Sequence, residues 1–142
     1  MDIDGLKLVN DGLGHAAGDE LIAETASRLR SVARETDVVA RQGGDEFLVL
    51  LADLPQDSDG SFRGAVRAVE EVAGRIRDQF EAPNHVAATD LEMTVSVGIS
   101  ICPLDASDAR TLLRNADIAM YRSKETETGE FVLYAEDARG EH

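Results

Sequence analysis

Apolar residues recur along this chain in two rhythms, and each change of rhythm predicts a change of element. Met1 to Leu8 predict the last step of a strand running into a polar loop. The stretch Asn10-Asp11-Gly12-Leu13-Gly14-His15-Ala16-Ala17-Gly18-Asp19 predicts a glycine-rich shaped connection. Asp19 and Glu20 then open a helix, because acidic side chains suit the positive end of the helix dipole. Leu21, Ile22, Ala26, Leu29, Val32 and Ala33 give it one apolar face through about Arg34. Val38-Val39-Ala40 and Phe47-Leu48-Val49-Leu50-Leu51, with glycines between them, predict a hairpin. The second run lacks alternation, which predicts burial on both faces. After a loop at Leu54 to Gly60, a helix is expected from about Phe62 to Phe80, with Val66, Val69, Ala73, Ile76 and Phe80 on one face. Pro83-Asn84-His85 breaks it, and Leu91 to Ile101 predict the strongest strand of the chain. A third helix follows over Ala109 to Lys124, with Leu112, Leu113, Ala116, Ile118, Ala119 and Tyr121 as its apolar contacts. Phe131 to Tyr134 predict a last short strand. With no internal repeat and no low-complexity segment, the pattern is α/β: one domain over residues 1–142, an α+β sandwich of helices on a sheet.

Charge narrows the possible partners. The 142 residues carry 14 Lys+Arg against 28 Asp+Glu, a net charge of −14, with 43% hydrophobic residues. That composition folds, but a surface so acidic argues against nucleic acid and anionic membranes. A phosphate-bearing substrate would need a divalent cation as mediator. The single cysteine, Cys102, excludes an intrachain disulfide and a multi-cysteine zinc site. No run nears the roughly 18 apolar residues of a membrane span. Met1-Asp2-Ile3-Asp4 has no signal-peptide character. The expectation is a cytoplasmic domain in a reducing compartment, without membrane contact by this segment.

Two acidic features stand out: Asp2-Ile3-Asp4 near a strand end, and Gly43-Gly44-Asp45-Glu46 at a hairpin tip. Paired glycines free a turn's backbone angles and let a ligand approach the main chain. An acid on such a tip, facing another on a neighbouring strand, could hold Mg²⁺ through oxygen ligands. By spacing alone, an ordinary solvated turn is an equal reading.

Gly43-Gly44-Asp45-Glu46-Phe47 spells the signature of the GGDEF domain, and the chain resembles bacterial diguanylate cyclases from end to end. Three further blocks stand in the family's order. They are Asp2-x-Asp4-x-x-Lys7-x-x-Asn10-Asp11-x-x-Gly14-His15-x-x-Gly18-Asp19, Val95-Ser96-Val97-Gly98-Ile99, and Ala116-Asp117-x-Ala119-Met120-Tyr121-x-x-Lys124. The resemblance implies a nucleotidyl-cyclase-like central sheet flanked by helices. It also implies that two GTP molecules are joined into cyclic di-GMP, each 3′-hydroxyl attacking the other's α-phosphate, in a homodimer.

Carried over by position, Asp2, the carbonyl of Ile3 and Asp45 would hold Mg²⁺ or Mn²⁺, and Asp45 would accept the 3′-hydroxyl proton. Lys7 would stabilise the transition state near the phosphates, although in isolation it reads as a solvated loop lysine. Asn10, His15, Asp19 and Lys124 match substrate-binding positions. A carboxylate such as Asp19 suits the N1–H and amine of guanine, which adenine does not present together. His15 between glycines also has a structural reading, and Asp19 a helix-start reading. Arg34-Glu35-Thr36-Asp37 has the spacing of the family's RxxD product-inhibition site, where Arg34 would meet phosphate or guanine and Asp37 the guanine edge.

Two departures stand against full activity. The family's leading helix and most of its first central strand lie upstream of Asp2, which predicts an unpaired interior sheet edge. Val39, Leu48 and Val97 would then be poorly covered and the fold marginally stable. After Lys124, where the family often continues Gly-Arg-Asn, this chain reads Glu125-Thr126-Glu127-Thr128-Gly129-Glu130. The segment from Tyr134 to Arg139 resembles a junction to a following domain, sometimes a cyclic di-GMP phosphodiesterase. The alternatives to a cyclase are therefore a catalytically impaired GTP- or cyclic di-GMP-binding module, or a fragment of a larger signalling protein.

Overall fold

The structure, a computed structural model, describes residues 1–126 and 131–134. Its elements run β1 (Asp2–Ile3), α1 (Leu6–Leu13), α2 (His15–Val32), β2 (Val38–Gly43), β3 (Glu46–Leu50), α3 (Arg63–Glu81), β4 (Asn84–Val86), β5 (Thr89–Leu91), β6 (Val95–Ile99), α4 (Ala109–Glu125) and β7 (Phe131–Leu133). Five strands form the main sheet in the order β2-β3-β1-β6-β7, and β4 pairs with β5 in a separate hairpin. The short β1 is the central strand, antiparallel to both neighbours: Asp2 stands opposite Glu46 on one side and Ser96 on the other.

The alternation of β6 decides which helix covers which face. Val95 and Val97 join a core with Leu21 and Leu29 of α2 and Ile76 and Phe80 of α3. Each large aliphatic side chain buried there contributes about 1.5–3 kcal/mol. On the opposite parity, Gly98 meets the backbone of Ala116 and Met120, and Ser100 Oγ donates to Leu112 O at 2.5 Å, so α4 lies on that face. Directly paired residues share a face. Ile3, opposite Val95, therefore enters the core, and Asp2, opposite Ser96, points to the α4 side.

Several sequence expectations are corrected. Residues 6–13 are helix, not polar loop, because Leu6 and Val9 bury one face against the core. The break falls at Gly14 alone, whose φ of 93° lies in the left-handed region that glycine favours, and α2 begins at His15 rather than Asp19. The segment 91–101 is not one strand. Its start belongs to the β4–β5 hairpin and its middle is β6. On α4 the buried residues are Asn115, Ala119, Met120 and Ser123, whereas Leu113, Ile118 and Tyr121 are exposed.

The run at β3 is not buried on both faces: Phe47 is, but Leu50 is exposed. The cause lies in β1. Met1 exchanges backbone hydrogen bonds with Phe47 (N to O at 2.9 Å, O from N at 2.8 Å), and among the described residues none stands between Leu48–Leu50 and Gly98–Ile99. An apolar cleft of about 440 Å³ opens there, reached by Ile76 of α3 and Leu112 of α4. The interior sheet edge is thus unpaired as expected, but Asp2 is fixed on both sides and Val97 is buried. Glu127 to Glu130 and the tail at 135–142 lie outside the described residues.

Candidate active site

The hairpin tip carries Asp45 to Asp2 by register. Because Asp2 faces Glu46, the neighbouring Asp45 lies at the same end of the sheet, and its carbonyl accepts from Ile3 N at 3.0 Å. A bulge between Arg41 and Gly43 re-aims the strand just before the tip. Arg41 closes the turn, its Nε and Nη2 donating to Gly44 O at 3.1 and 2.9 Å.

Asp2 is 5% exposed. Its Oδ2 accepts from Lys124 Nζ of α4, while Oδ1 is buried with no hydrogen-bond partner. Burial pushes the Asp2 carboxyl above its ordinary range, and the nearby Asp45 carboxylate adds to that against the pull of Lys124. Lys124 is held above its ordinary value by its bond to Asp2 and by the charges of Asp2, Asp4 and Asp45. Asp4 is anchored separately: Thr94 Oγ1 and Ser96 Oγ donate to it at 2.8 and 3.0 Å.

Among the described residues, no three His, Cys, Asp or Glu side chains form a metal cage. A Mg²⁺ ion is commonly held by one or two carboxylates together with substrate phosphates. The orphaned Oδ1 of Asp2 is the acceptor such a cation would satisfy.

The other expected residues spread along α1 and α2. Lys7 is exposed on α1, and His15 is the exposed first residue of α2. Asn10 packs so tightly on Gly18 that a Cβ there would lie 1.7 Å from Asn10 Oδ1. Asp19 sits in the second turn of α2, at the edge of a recess of about 370 Å³ that it shares with Arg30, Val39, Arg41 and Phe47.

Arg34 and Asp37 form a separate cluster. Asp37 accepts from Arg34 N (2.8 Å), Arg34 Nε (3.3 Å), Arg34 Nη2 (3.3 Å) and Ala52 N (3.2 Å), with its side chain only 1% exposed. Burial pushes its carboxyl up, but these bonds outweigh that and hold it below the ordinary value. Sequence reasoning missed the clasp of Arg41 and the Thr94 and Ser96 anchors. An arginine two residues before paired glycines was the available signal for the first. Nothing local announced the second.

Comparison with known proteins agrees with the sheet and its helices. Residues 1–130 match the family described as "Diguanylate cyclase, GGDEF domain", and the chain belongs to the GGDEF family. It is 40% identical over 124 residues to the cyclic di-GMP phosphodiesterase NbdA of Pseudomonas aeruginosa, covering 87% of this chain and 15% of that protein. It is 39% identical over 130 residues to the diguanylate cyclase TpbB of the same species, covering 91% of this chain and 28% of that one. The crystal structure of the TpbB GGDEF domain superposes with a TM-score of 0.82 at 38% identity, over 93% of this chain and 77% of that one. The chain thus spans less than a third of either full-length relative. No helix among the described residues is long and apolar enough to cross a membrane.

Proposed function

We propose that this chain is a diguanylate cyclase domain that condenses two GTP into cyclic di-GMP. The observation that carries the reading is the buried, unpartnered Oδ1 of Asp2 beside Asp45. Asp2, the Ile3 carbonyl and Asp45 would hold Mg²⁺ or Mn²⁺, which supplies charge neutralisation at the phosphates. Asp45, on a tip held by Arg41, would take the 3′-hydroxyl proton. Lys7 and Lys124 offset charge on the phosphates from α1 and α4. Asp19 accepts from the guanine edge at the recess beside β2, with Asn10 held close by on Gly18. His15, the exposed first residue of α2, would contact the substrate as well. Each domain supplies one bound GTP, so synthesis needs a homodimer.

Arg34, half-exposed, would receive cyclic di-GMP as an inhibitor, with Asp37 holding its guanidinium. Incubating the chain with GTP and Mg²⁺ and assaying for cyclic di-GMP tests the reading, and no product at any protein concentration overturns it. One observation favours a binding module instead: the 40% identical NbdA is named as a phosphodiesterase. GTP binding without product in the same assay would select that reading.

A further inference from the structure

We infer that Lys124 is a built-in competitor for the cation at Asp2, so that the metal binds well only together with a nucleotide whose phosphates take Lys124 in exchange. The inference rests on the metal assignment proposed above. Asp2 offers two carboxylate oxygens at a buried position, and Lys124 holds one of them. The lysine side chain is 40% exposed, so its head can swing outward, whereas Asp2 is fixed by strand pairing on both sides. The ammonium faces Asp2, Asp4 and Asp45, the same negative field that would attract a divalent ion.

A cation arriving alone at the free Oδ1 sets a second positive charge against the ammonium on the same carboxylate, so Lys124 must swing away from Asp2 or weaken the ion's hold. A cation arriving on a triphosphate brings the acceptors that Lys124 needs. Residue type agrees: of the 14 basic residues 12 are arginine, and the only lysines are Lys7 and Lys124. An ammonium is a compact point charge that can stand where a small ion stands, which a planar guanidinium cannot do.

Having two lysines makes the test direct. Amine acetylation followed by mass spectrometry reads Lys124 against Lys7 as an internal reference in one chain. In EDTA, Lys124 is expected to label several-fold more slowly than Lys7. Saturating Mn²⁺ should raise its rate several-fold without changing that of Lys7. Mn²⁺ binding is then measured for the parent, Lys124→Met and Lys7→Met, each with and without 3′-deoxy-GTP, which lacks the attacking hydroxyl. Lys124→Met should bind Mn²⁺ about tenfold tighter than the parent without nucleotide, and Lys7→Met within about twofold. With the nucleotide present, the advantage of Lys124→Met should vanish. Equal labelling of both lysines in EDTA, or equal Mn²⁺ affinity in parent and Lys124→Met, overturns the competition while leaving the metal assignment standing. Absence of Mn²⁺ binding in every chain, with and without nucleotide, overturns both. If Lys124→Met does not fold, the labelling of the parent decides alone.

Discussion

Gly98 of β6 lies directly under Met120 of α4: a Cβ built on the glycine would sit 2.1 Å from the Met120 backbone nitrogen and equally close to Ala116 O. The helix rests on the sheet at backbone distance, and that contact sets the height of Lys124 one turn further along. Backbone atoms cannot rotate aside as a flexible side chain can. Gly98→Ala should therefore destabilise the domain by about 1–3 kcal/mol, in the range of overpacked cores. Urea melts of the two chains check this, and a midpoint unchanged within error would contradict the close contact.

Arg28 should matter as much from the other side of the molecule. Its guanidinium donates to Gln79 O (2.6 Å), Ala82 O (2.8 Å) and Pro83 O (2.9 Å) at the end of α3, and lies 5.4 Å from the Phe80 ring centroid. Arg28→Ala leaves those carbonyls without their donor and should cost about 2–3 kcal/mol. Arg28→Lys should recover only part, since an ammonium cannot span the same fork. Full recovery by lysine in thermal melts would show that charge alone, not the fork, is at work.

Substitution at the two acids should separate chemistry from base selection. Asp45→Ala should abolish cyclic di-GMP synthesis while the circular dichroism spectrum stays that of the parent, because a half-buried tip residue carries little packing. Asp19→Asn should instead weaken GTP binding at least tenfold, with the guanine donors deprived of a charged acceptor. GTP affinity matching the parent's would reduce Asp19 to a surface residue of α2.

Acid should act through Asp37. Its carboxyl is lowered in the folded chain, so the unfolded state binds the proton first and stability falls with falling pH. The contribution is complete above the ordinary value of 3.8 and is lost as pH drops through the lower folded value. Asp37→Asn should be less stable than the parent by about 1–3 kcal/mol at pH 7, and the gap should shrink on acidification below 3.8. A gap that stays constant down to the acid transition would mean that another group carries the effect.

Long periodic segments were legible because burial dominates them: α3 lies within one residue of its expected bounds, with Val69, Ala73, Ile76 and Phe80 inside. Helix α1 was not, since Asn10, Asp11, Gly12 and Gly14 speak for a loop and only tertiary burial of Leu6 and Val9 overrides them. The exposure of Leu50 was hidden for the opposite reason. Strand composition reports what a position would pack against, not whether the neighbouring strand reaches that far. At the site, the hairpin signature was legible residue by residue. The grip of Lys124 on Asp2 was not, because it joins positions 122 apart in the chain.

The pairing of Asp2 with Glu46 has one further consequence. The gap between the two carboxylates is measured out in residues rather than shaped by side chains, and a strand shifted by one residue turns every side chain to the other face. Changes of length and changes of chemistry should therefore have unequal effects around the tip. One residue inserted between Asp45 and Glu46 would turn Asp45 away from Asp2 with every functional group still present. The loop at 53–62, which sets no strand register, can change length without touching that ruler.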